Sequence, residues 1–209
     1  ADGRFVVDDV LVAAGRKPVI PAGLAELGLA RDSRGFIAIE PCGRTSVPGT
    51  WAAGDVTGKF QFTHYAAYQA HHIAKHIAEG VCEPIPDAIV PWAIFTDPEI
   101  GHAGMTEAQA RERGLAVATG MLAARELDWF RTTGQVEGFA KVVVDAETGA
   151  LLGAHFLCAR ASTLAGEACL AIQHGLTDRQ VAGTIHPYPT AGELFRWACA
   201  RAISARQRR

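Results

Sequence analysis

The chain has 209 residues, of which 49% are apolar and 20% are charged, a balance that excludes disordered and fibrous proteins. At about 150 residues per domain, this length allows one large domain or two small ones. The 20 basic and 22 acidic side chains give a net charge of −2, far from the basic surplus of proteins that bind nucleic acid. No apolar run approaches the ~18 residues of a membrane span, and the first residues do not resemble a signal peptide. We therefore expect a cytoplasmic protein that binds neither nucleic acid nor a membrane.

The five cysteines are an odd number at wide spacings and include no C-x-x-C pair. This pattern is typical of neither a disulfide framework nor a zinc site. We expect all of them to be reduced thiols that pack as small apolar groups: Cys42, Cys82, Cys158, Cys169 and Cys199. The chain opens on Ala1, and its only methionines are Met105 and Met121, which indicates a fragment of a longer protein.

The first part of the chain is predicted to alternate strands with turns. Alternation and a high content of β-branched residues predict strands at 5–14, 36–40 and 50–53. A helix is predicted over residues 63–79, capped by Thr63 and ended by Gly80. Its apolar residues recur at helical spacing and are expected to form one buried face, made of Ala66, Ala70, Ile73 and Ile77.

The segment VCEPIPDAIVP at 81–91 has three prolines and marks a domain boundary near residue 87. Beyond it, strands are predicted at 92–96, 115–123, 135–145 and 150–158, the last two joined by a hairpin-like connection. Thr106 and Gln109 predict a capping box for a short helix. Further helices are predicted at 162–174, at 178–184 and from 190 onwards, so the fold class is α+β.

Three stretches of the chain resemble one family of enzymes. They are VLVAAGRKP at 10–18, TWAAGDVTG with QFTHYAAYQA at 50–70, and PWAIFTDPEIGHAGMTEAQA at 91–110 with IHPYPTAGE at 185–193. In order and spacing they are similar to the FAD-dependent pyridine nucleotide-disulfide oxidoreductases, the group that contains dihydrolipoamide dehydrogenase, glutathione reductase and mercuric reductase. The resemblance covers essentially all of residues 5–200.

The resemblance implies two domains. Residues 1–87 would be the end of an NAD(P)-binding domain with the C-terminal piece of an FAD-binding domain. Residues 88–209 would be an α+β dimerisation domain with an antiparallel sheet and packed helices. The implied cofactors are FAD and NAD(P)H, and the implied partners are a second copy of the chain and a small-molecule or metal-ion substrate.

Three motifs of that family are not found in this sequence: the G-x-G-x-x-G loop for the FAD pyrophosphate, a second dinucleotide loop and the C-x-x-x-x-C redox pair. We therefore expect the parent protein to be a reductase and this chain alone to be inactive. The alternative is a dimerisation module with no activity of its own.

The resemblance also assigns residues to the flavin. Asp55, in a turn that Gly54 permits, would accept hydrogen bonds from the ribityl chain. The N-terminus of the predicted helix would face the pyrimidine edge of the flavin, lined by Gln61, Phe62, Thr63 and His64. Gly15 would let the backbone approach the cofactor. Without the resemblance, these residues would be a surface turn, a helix cap and a turn glycine.

The motif IHPYPTAGE differs from the family pattern at the catalytic position. The family has His-Pro-Thr-x-x-Glu, whose histidine, oriented by the glutamate, reaches the disulfide of the partner subunit. Here Tyr188 takes the histidine position and Glu193 the glutamate position. His186 comes two residues earlier, on the same side of a strand-like segment and displaced by ~6–7 Å. Because a phenol is a poor base at neutral pH, Tyr188 would act as a hydrogen-bond donor or an oxygen ligand beside the redox sulfurs. By the resemblance, this favours a mercuric-reductase-like enzyme, although that enzyme's terminal cysteine pair is not in RAISARQRR.

Two other features are expected to have no special chemistry. His72 and His76 have the i, i+4 spacing of a metal clamp, but no local ligand completes the set, so we expect a helix face and no metal. The basic tail at 201–209 does not require an anionic partner, because the helix dipole alone favours cations at the C-terminus of a helix.

Overall fold

A computed structural model describes residues 3–208 and divides the chain into two units. One unit ends at Pro86 and the other begins at Asp87, inside the proline-rich segment. Among the described residues, no helix has the length and apolar content needed to cross a lipid bilayer.

The first unit contains one long helix, α1 (Thr63–Glu79), and two short 3₁₀ turns, Ala25–Leu27 and Gly54–Thr57. The predicted bounds of α1 are confirmed, and it ends at Gly80 in the left-handed conformation. Its N-cap, however, is Phe62 without a side-chain cap, so the prediction for Thr63 is wrong. The buried face also differs from the predicted one: it consists of Tyr65, Gln69, Ile73 and His76.

The three strands predicted in the first unit do not form. Residues 5–14 contain no β-strand, and the other two segments form no bridges except the isolated ones Arg31↔Ile37 and Arg44↔Trp51. A strand requires a partner along its length to bond its backbone N–H and C=O groups, and the described residues of this unit supply no such partner.

Cys42 and Cys82 are joined by a disulfide, so the expectation of five reduced thiols is wrong for this pair. Their Cα atoms lie 5.2 Å apart although 40 positions separate them in sequence. The backbone N–H of Ile85 donates to the carbonyl of Pro41 at 3.0 Å, which brings the segment after α1 to Cys42. Cysteine spacing cannot reveal this approach. The three remaining cysteines are free thiols: Cys158, Cys169 and Cys199.

The second unit is built on a five-stranded antiparallel sheet with strand order β1-β2-β5-β4-β3. Its strands are β1 (Trp92–Ile94), β2 (Ile100–Gly104), β3 (Val117–Ala123), β4 (Phe139–Asp145) and β5 (Leu151–Leu157). Its helices are α2 (Glu107–Glu112), α3 (Asp128–Thr132), α4 (Ala161–Gln173), α5 (Asp178–Gly183) and α6 (Glu193–Gln207). The α+β class and the antiparallel sheet are confirmed, as is the capping box of Thr106 and Gln109.

Strand β2 and helix α3 were not predicted from the sequence. Strand β2 contains two glycines, which weaken a strand pattern. Gly101 is needed for packing, because a Cβ there would lie 2.3 Å from the carbonyl oxygen of Ala161 at the start of α4. The close approach of α4 to the sheet thus explains a residue that local propensity disfavours.

Helices α4 and α6 cover one face of the sheet and form the core with it. A Cβ at Gly120 of β3 would lie 2.1 Å from the carbonyl oxygen of Ala198, so α6 touches the sheet backbone. The apolar side chains of α4 are mostly packed on this sheet: Leu164, Ala168 and Ala171 are buried, while Cys169 and Ile172 are half-buried. Exposed apolar side chains of the unit include Leu170 on α4 and, outside α4, Phe95, Ile185, Tyr188 and Trp197.

Candidate functional site

The turn at Gly54 and Asp55 begins the second 3₁₀ turn of the first unit. Gly54 adopts φ 79°, and a Cβ there would lie 2.9 Å from the Cβ of Ala66 on α1. Its backbone N–H donates to the buried side-chain oxygen of Gln69 at 2.8 Å. Only glycine adopts this positive φ without strain and has no Cβ to clash with Ala66. The turn places Asp55 beside the start of α1.

The carboxylate of Asp55 is half-exposed and accepts a hydrogen bond from the Arg16 guanidinium at 3.0 Å. The same Arg16 nitrogen donates to the backbone carbonyl of Gln61 at 3.1 Å. Asp55, Arg16 and Gln61 line a pocket of about 290 Å³ together with Lys17, Pro18, Val19 and Val56. Two of the predicted cofactor residues are therefore brought together here, next to an arginine that the sequence reasoning did not select.

The N-terminus of α1 carries no side-chain cap and no acidic residue in its first turn. The rings of Phe62 and His64 stack there with centroids 5.3 Å apart. Such a helix end favours negative charge, and the free lone pairs of Asp55 suit hydroxyl donors. These residues fit one side of a flavin. Gly15 has φ 106°, and a Cβ added there would have no neighbouring atom within 4 Å, so its backbone is open to approach. The flavin contacts of all seven residues stay predictions.

The second cluster lies in the second unit, around Tyr188, whose side chain is exposed. Its phenol donates to the Oδ2 atom of Asp128 at 2.6 Å. Arg131, one turn along α3, also contacts Asp128. The hydrogen bonds from Tyr188 and Arg131 hold the pKa of Asp128 below its usual range. In return, the hydrogen bond and the negative charge of Asp128 raise the pKa of Tyr188.

Glu193 lines the same cleft as Tyr188, a pocket of about 520 Å³ whose wall includes Trp197 and Asp128. Its Oε2 atom is buried and has no hydrogen-bond partner among residues 3–208. The structure thus brings Tyr188 and Glu193 to one cleft but pairs the phenol with Asp128. Asp128 was missed from the sequence, because 60 positions separate it from Tyr188 and nothing in the segment around it predicts the helix α3.

His186 has different surroundings from Tyr188. Its Nε2 atom lies 2.8 Å from the carboxylate of Glu167 on α4, and its Nδ1 atom lies 3.0 Å from the carbonyl oxygen of Thr184. The His186 side chain is 7% exposed, whereas Tyr188 is 69% exposed. The segment between them is not a strand, so the expected strand-like displacement is wrong. The histidine is tied to the helix layer and the tyrosine projects outward.

Comparison with protein families gives two matches. Residues 90–199 match the model of the pyridine nucleotide-disulphide oxidoreductase dimerisation domain, and residues 1–70 match the pyridine nucleotide-disulphide oxidoreductase model. Dihydrolipoyl dehydrogenase of Haloferax volcanii is 38% identical over 97% of this chain, and that of Cupriavidus necator is 37% identical over 96%. The chain spans 43% and 42% of the lengths of these relatives.

Solved structures of flavoprotein disulfide reductases share the fold. The Cu(II) complex of the HOCl-induced flavoprotein disulfide reductase RclA from Escherichia coli has a TM-score of 0.87 and 28% identity, over 93% of this chain and 45% of that chain. LpdA from Mycobacterium tuberculosis has a TM-score of 0.79 and 28% identity, over 88% of this chain and 40% of that one. With a family model matched over more than half of its length, the chain belongs to the pyridine nucleotide-disulphide oxidoreductases.

Proposed function

We propose that the protein carrying this chain is an NAD(P)H-dependent FAD disulfide reductase that works as a homodimer. Residues 88–209 would provide the dimerisation domain, and Gly15, Asp55 and the start of α1 would contribute to cofactor binding. When bound, FAD would pass electrons between the nicotinamide and a redox disulfide. The family membership and the paired phenol of Tyr188 support this proposal.

The Tyr188–Asp128 pair is the observation on which the reaction type depends. A phenol has an ordinary pKa near 10, and the neighbouring carboxylate raises the pKa of Tyr188 further. Tyr188 therefore keeps its proton at neutral pH and cannot act as a general base. Its single O–H donates to Asp128, so the phenol can bind through its oxygen, or donate to a sulfur only in place of Asp128. In a homodimer, the exposed phenol would reach the redox sulfurs of the partner subunit.

A protonated phenol suits one direction of the family's chemistry better than the other. Oxidation of a dithiol such as dihydrolipoamide requires a base that removes the thiol protons. Reduction of a disulfide instead requires an acid that protonates the departing thiolate, and reduction of a thiophilic metal ion requires neither an acid nor a base at this position. We therefore propose a reductase that delivers electrons to an acceptor of this kind, as mercuric reductase does.

A dihydrolipoamide dehydrogenase is the second candidate, and the His186–Glu167 contact favours it. An imidazole with a carboxylate at 2.8 Å has the arrangement of an acid-base pair, with its other ring nitrogen fixed by Thr184. The relatives from Haloferax volcanii and Cupriavidus necator bear this enzyme name. In this case His186 would be the group that moves protons.

The two candidates are distinguished by variants of the complete enzyme. We expect Tyr188→Phe to lower kcat for the acceptor by about tenfold or more. His186→Ala should lower kcat less, when both variants are assayed at a temperature at which they are fully folded. Thr190→Ala is a control, since its hydroxyl donates only to Pro187 of the same loop. If His186→Ala abolishes dihydrolipoamide oxidation and Tyr188→Phe leaves it intact, the assignment to Tyr188 is wrong.

The dimerisation-module alternative is tested with the 209-residue chain itself. Because Asp55 and α1 supply only the ribityl and isoalloxazine side of a site, we expect weak FAD binding and a further loss in Asp55→Asn. Asp32→Asn is a matched control, since the Asp32 carboxylate bonds backbone groups of its own turn. Nanomolar affinity would contradict the expectation, because it requires about 12 kcal/mol from part of a pocket.

A further inference from the structure

We propose that Glu40, Cys42 and Cys82 form a redox-gated binding site for a thiophilic divalent cation such as zinc. The disulfide closes the site, and reduction of that disulfide by a dithiol opens it. This proposal does not depend on the proposed reductase activity.

The three side chains already converge on one point. The Oε2 atom of Glu40 lies 3.7 Å from the Sγ atom of Cys42 and 3.9 Å from the Sγ atom of Cys82. Tetrahedral zinc, with Zn–S of about 2.3 Å and Zn–O of about 2.0 Å, separates its sulfur and oxygen ligands by about 3.5 Å. Both S···O separations are thus close to those of a zinc site. Only the two sulfurs need to move apart, to about 3.8 Å.

Backbone hydrogen bonds hold the ligands in place without the disulfide. The N–H of Gly43 donates to the carbonyl of Glu40 at 2.9 Å, and the N–H of Glu40 donates to Arg44 at 2.8 Å. These bonds fold the turn that carries Glu40 and Cys42. The N–H of Ile85 donates to Pro41 at 3.0 Å, which fixes the segment of Cys82 against that turn. Reduction therefore releases two thiols into a preformed arrangement.

The accessibility of the ligands suits opening by an external reductant. Cys82 and Glu40 are exposed, whereas Cys42 is buried, with 3% of its surface exposed. A dithiol would attack the exposed sulfur of Cys82 as thiolate, break the S–S bond and form a mixed disulfide. Its second thiol would then displace Cys82, which leaves two protein thiols and a cyclic disulfide of the reductant. The cation would bind the two thiolates and the carboxylate, and two thiol protons would be released to solvent.

Cobalt(II) titration of the 209-residue chain tests the site, since thiolate ligands give Co(II) a charge-transfer absorption in the near ultraviolet. The chain is reduced with dithiothreitol, which is then removed under anaerobic conditions. We expect one equivalent of Co(II) to produce the band in the reduced chain, zinc to displace it, and the oxidised chain to show none. Circular dichroism before and after reduction shows whether the scaffold persists.

Variants identify the ligands. Cys82→Ser should abolish the band, and Glu40→Gln should weaken Co(II) binding at least tenfold while keeping both thiols. Cys169→Ser, which removes a half-buried free thiol of the second unit, is the matched control and should change nothing. The proposal is overturned if the reduced chain unfolds, if Co(II) binds without the thiolate band, or if Glu40→Gln binds as tightly as the wild type.

Discussion

Tyr188 donates its phenol proton to Asp128 over 2.6 Å and so fixes the orientation of the aromatic ring at the rim of the cleft. Asp128 receives a second contact from Arg131, which keeps the carboxylate ionised and in place. An exposed tyrosine would otherwise sample several rotamers. The pair therefore presents a phenol that is both oriented and protonated, and Asp128 acts on the proposed chemistry through Tyr188.

The protonation of Tyr188 can be measured directly. We expect Asp128→Asn to lower the pKa of the phenol, because the amide oxygen still accepts the hydrogen bond but the negative charge that raises this pKa is lost. Ultraviolet titration of phenolate absorbance measures the change. The chain has only three tyrosines, and Tyr188→Phe identifies the transition that belongs to this residue. An unchanged transition in Asp128→Asn would show that the pair does not control the proton.

The dimer interface is expected to include the loop that carries Tyr188. Ile185 is 95% exposed, three residues before the tyrosine, which leaves a large apolar side chain in water unless a partner covers it. We predict a dimer of the 209-residue chain at tens of micromolar, measured by light scattering, and its dissociation by Ile185→Glu.

Met121→Glu is the control for this prediction. Met121 is 61% exposed on β3, with its side chain on the sheet face opposite to that of Gly120, which contacts α6. A wild-type monomer would refute the dimer itself. A dimer that is lost in Met121→Glu but kept in Ile185→Glu would place the interface on the other face of the sheet.

Helices α2, α4, α5 and α6 and four of the five strands of the second unit follow from the sequence to within a few residues, because their helical or alternating patterns are local, and α2 and α5 also carry capping boxes. Helix α3 does not follow. Thr106 with Gln109 shows this for α2. Strand β2 does not follow, because Gly101 serves the approach of α4 and Gly104 lies close to the backbone of β5, and neither glycine favours a strand locally. The disulfide of Cys42 and Cys82 likewise depends on a contact between distant segments.

The residues of the candidate sites likewise fall into those that the sequence predicts and those that only the structure reveals. A motif at fixed spacing identifies Tyr188 and Glu193, and the Gly-Asp turn identifies Asp55. Asp128 and Arg16 are found only in the structure, since each reaches its partner across 39 or more positions. Polar partners of this kind are set by tertiary geometry, which no local pattern records.

Stability of the second unit is predicted to depend on a buried ion pair that links Asp178 at the start of α5 to Arg206 on α6. Asp178 has no exposed side-chain surface, and both of its carboxylate oxygens accept from Arg206, at 3.1 and 2.9 Å. Arg206→Met leaves a buried carboxylate without its partner and is expected to lower the free energy of unfolding by about 3–5 kcal/mol, measured by urea denaturation. Arg201→Met, which removes an exposed pair with Glu126, should cost less than about 1 kcal/mol. Equal losses in the two variants would contradict the prediction.

A second polar pair lies on the sheet, and its surroundings indicate that the free energy of unfolding depends on pH. His102 on β2 and His155 on β5 are register partners, with their Nδ1 atoms 3.0 Å apart. The His155 Nε2 atom lies 3.3 Å from the carbonyl oxygen of Met105. Burial and the neighbouring His102 lower the pKa of His155 to about 4, and burial also lowers the pKa of His102. In the folded chain both rings are therefore neutral at pH 7, and one donates to the other.

Because the unfolded chain binds these protons at an ordinary pKa near 6.5, it binds more protons than the folded chain once the pH falls below that value. The contribution of the neutral histidine pair to the free energy of unfolding is present above pH 6.5 and is lost progressively as the pH falls towards 4. We expect the free energy of unfolding by urea to decrease by about 1–2 kcal/mol between pH 7 and pH 5, a window in which ordinary carboxylates stay ionised. His155→Gln should flatten this decrease, whereas His174→Gln, at an exposed position, should preserve it. If His155→Gln keeps the full decrease, the histidine pair is not its source.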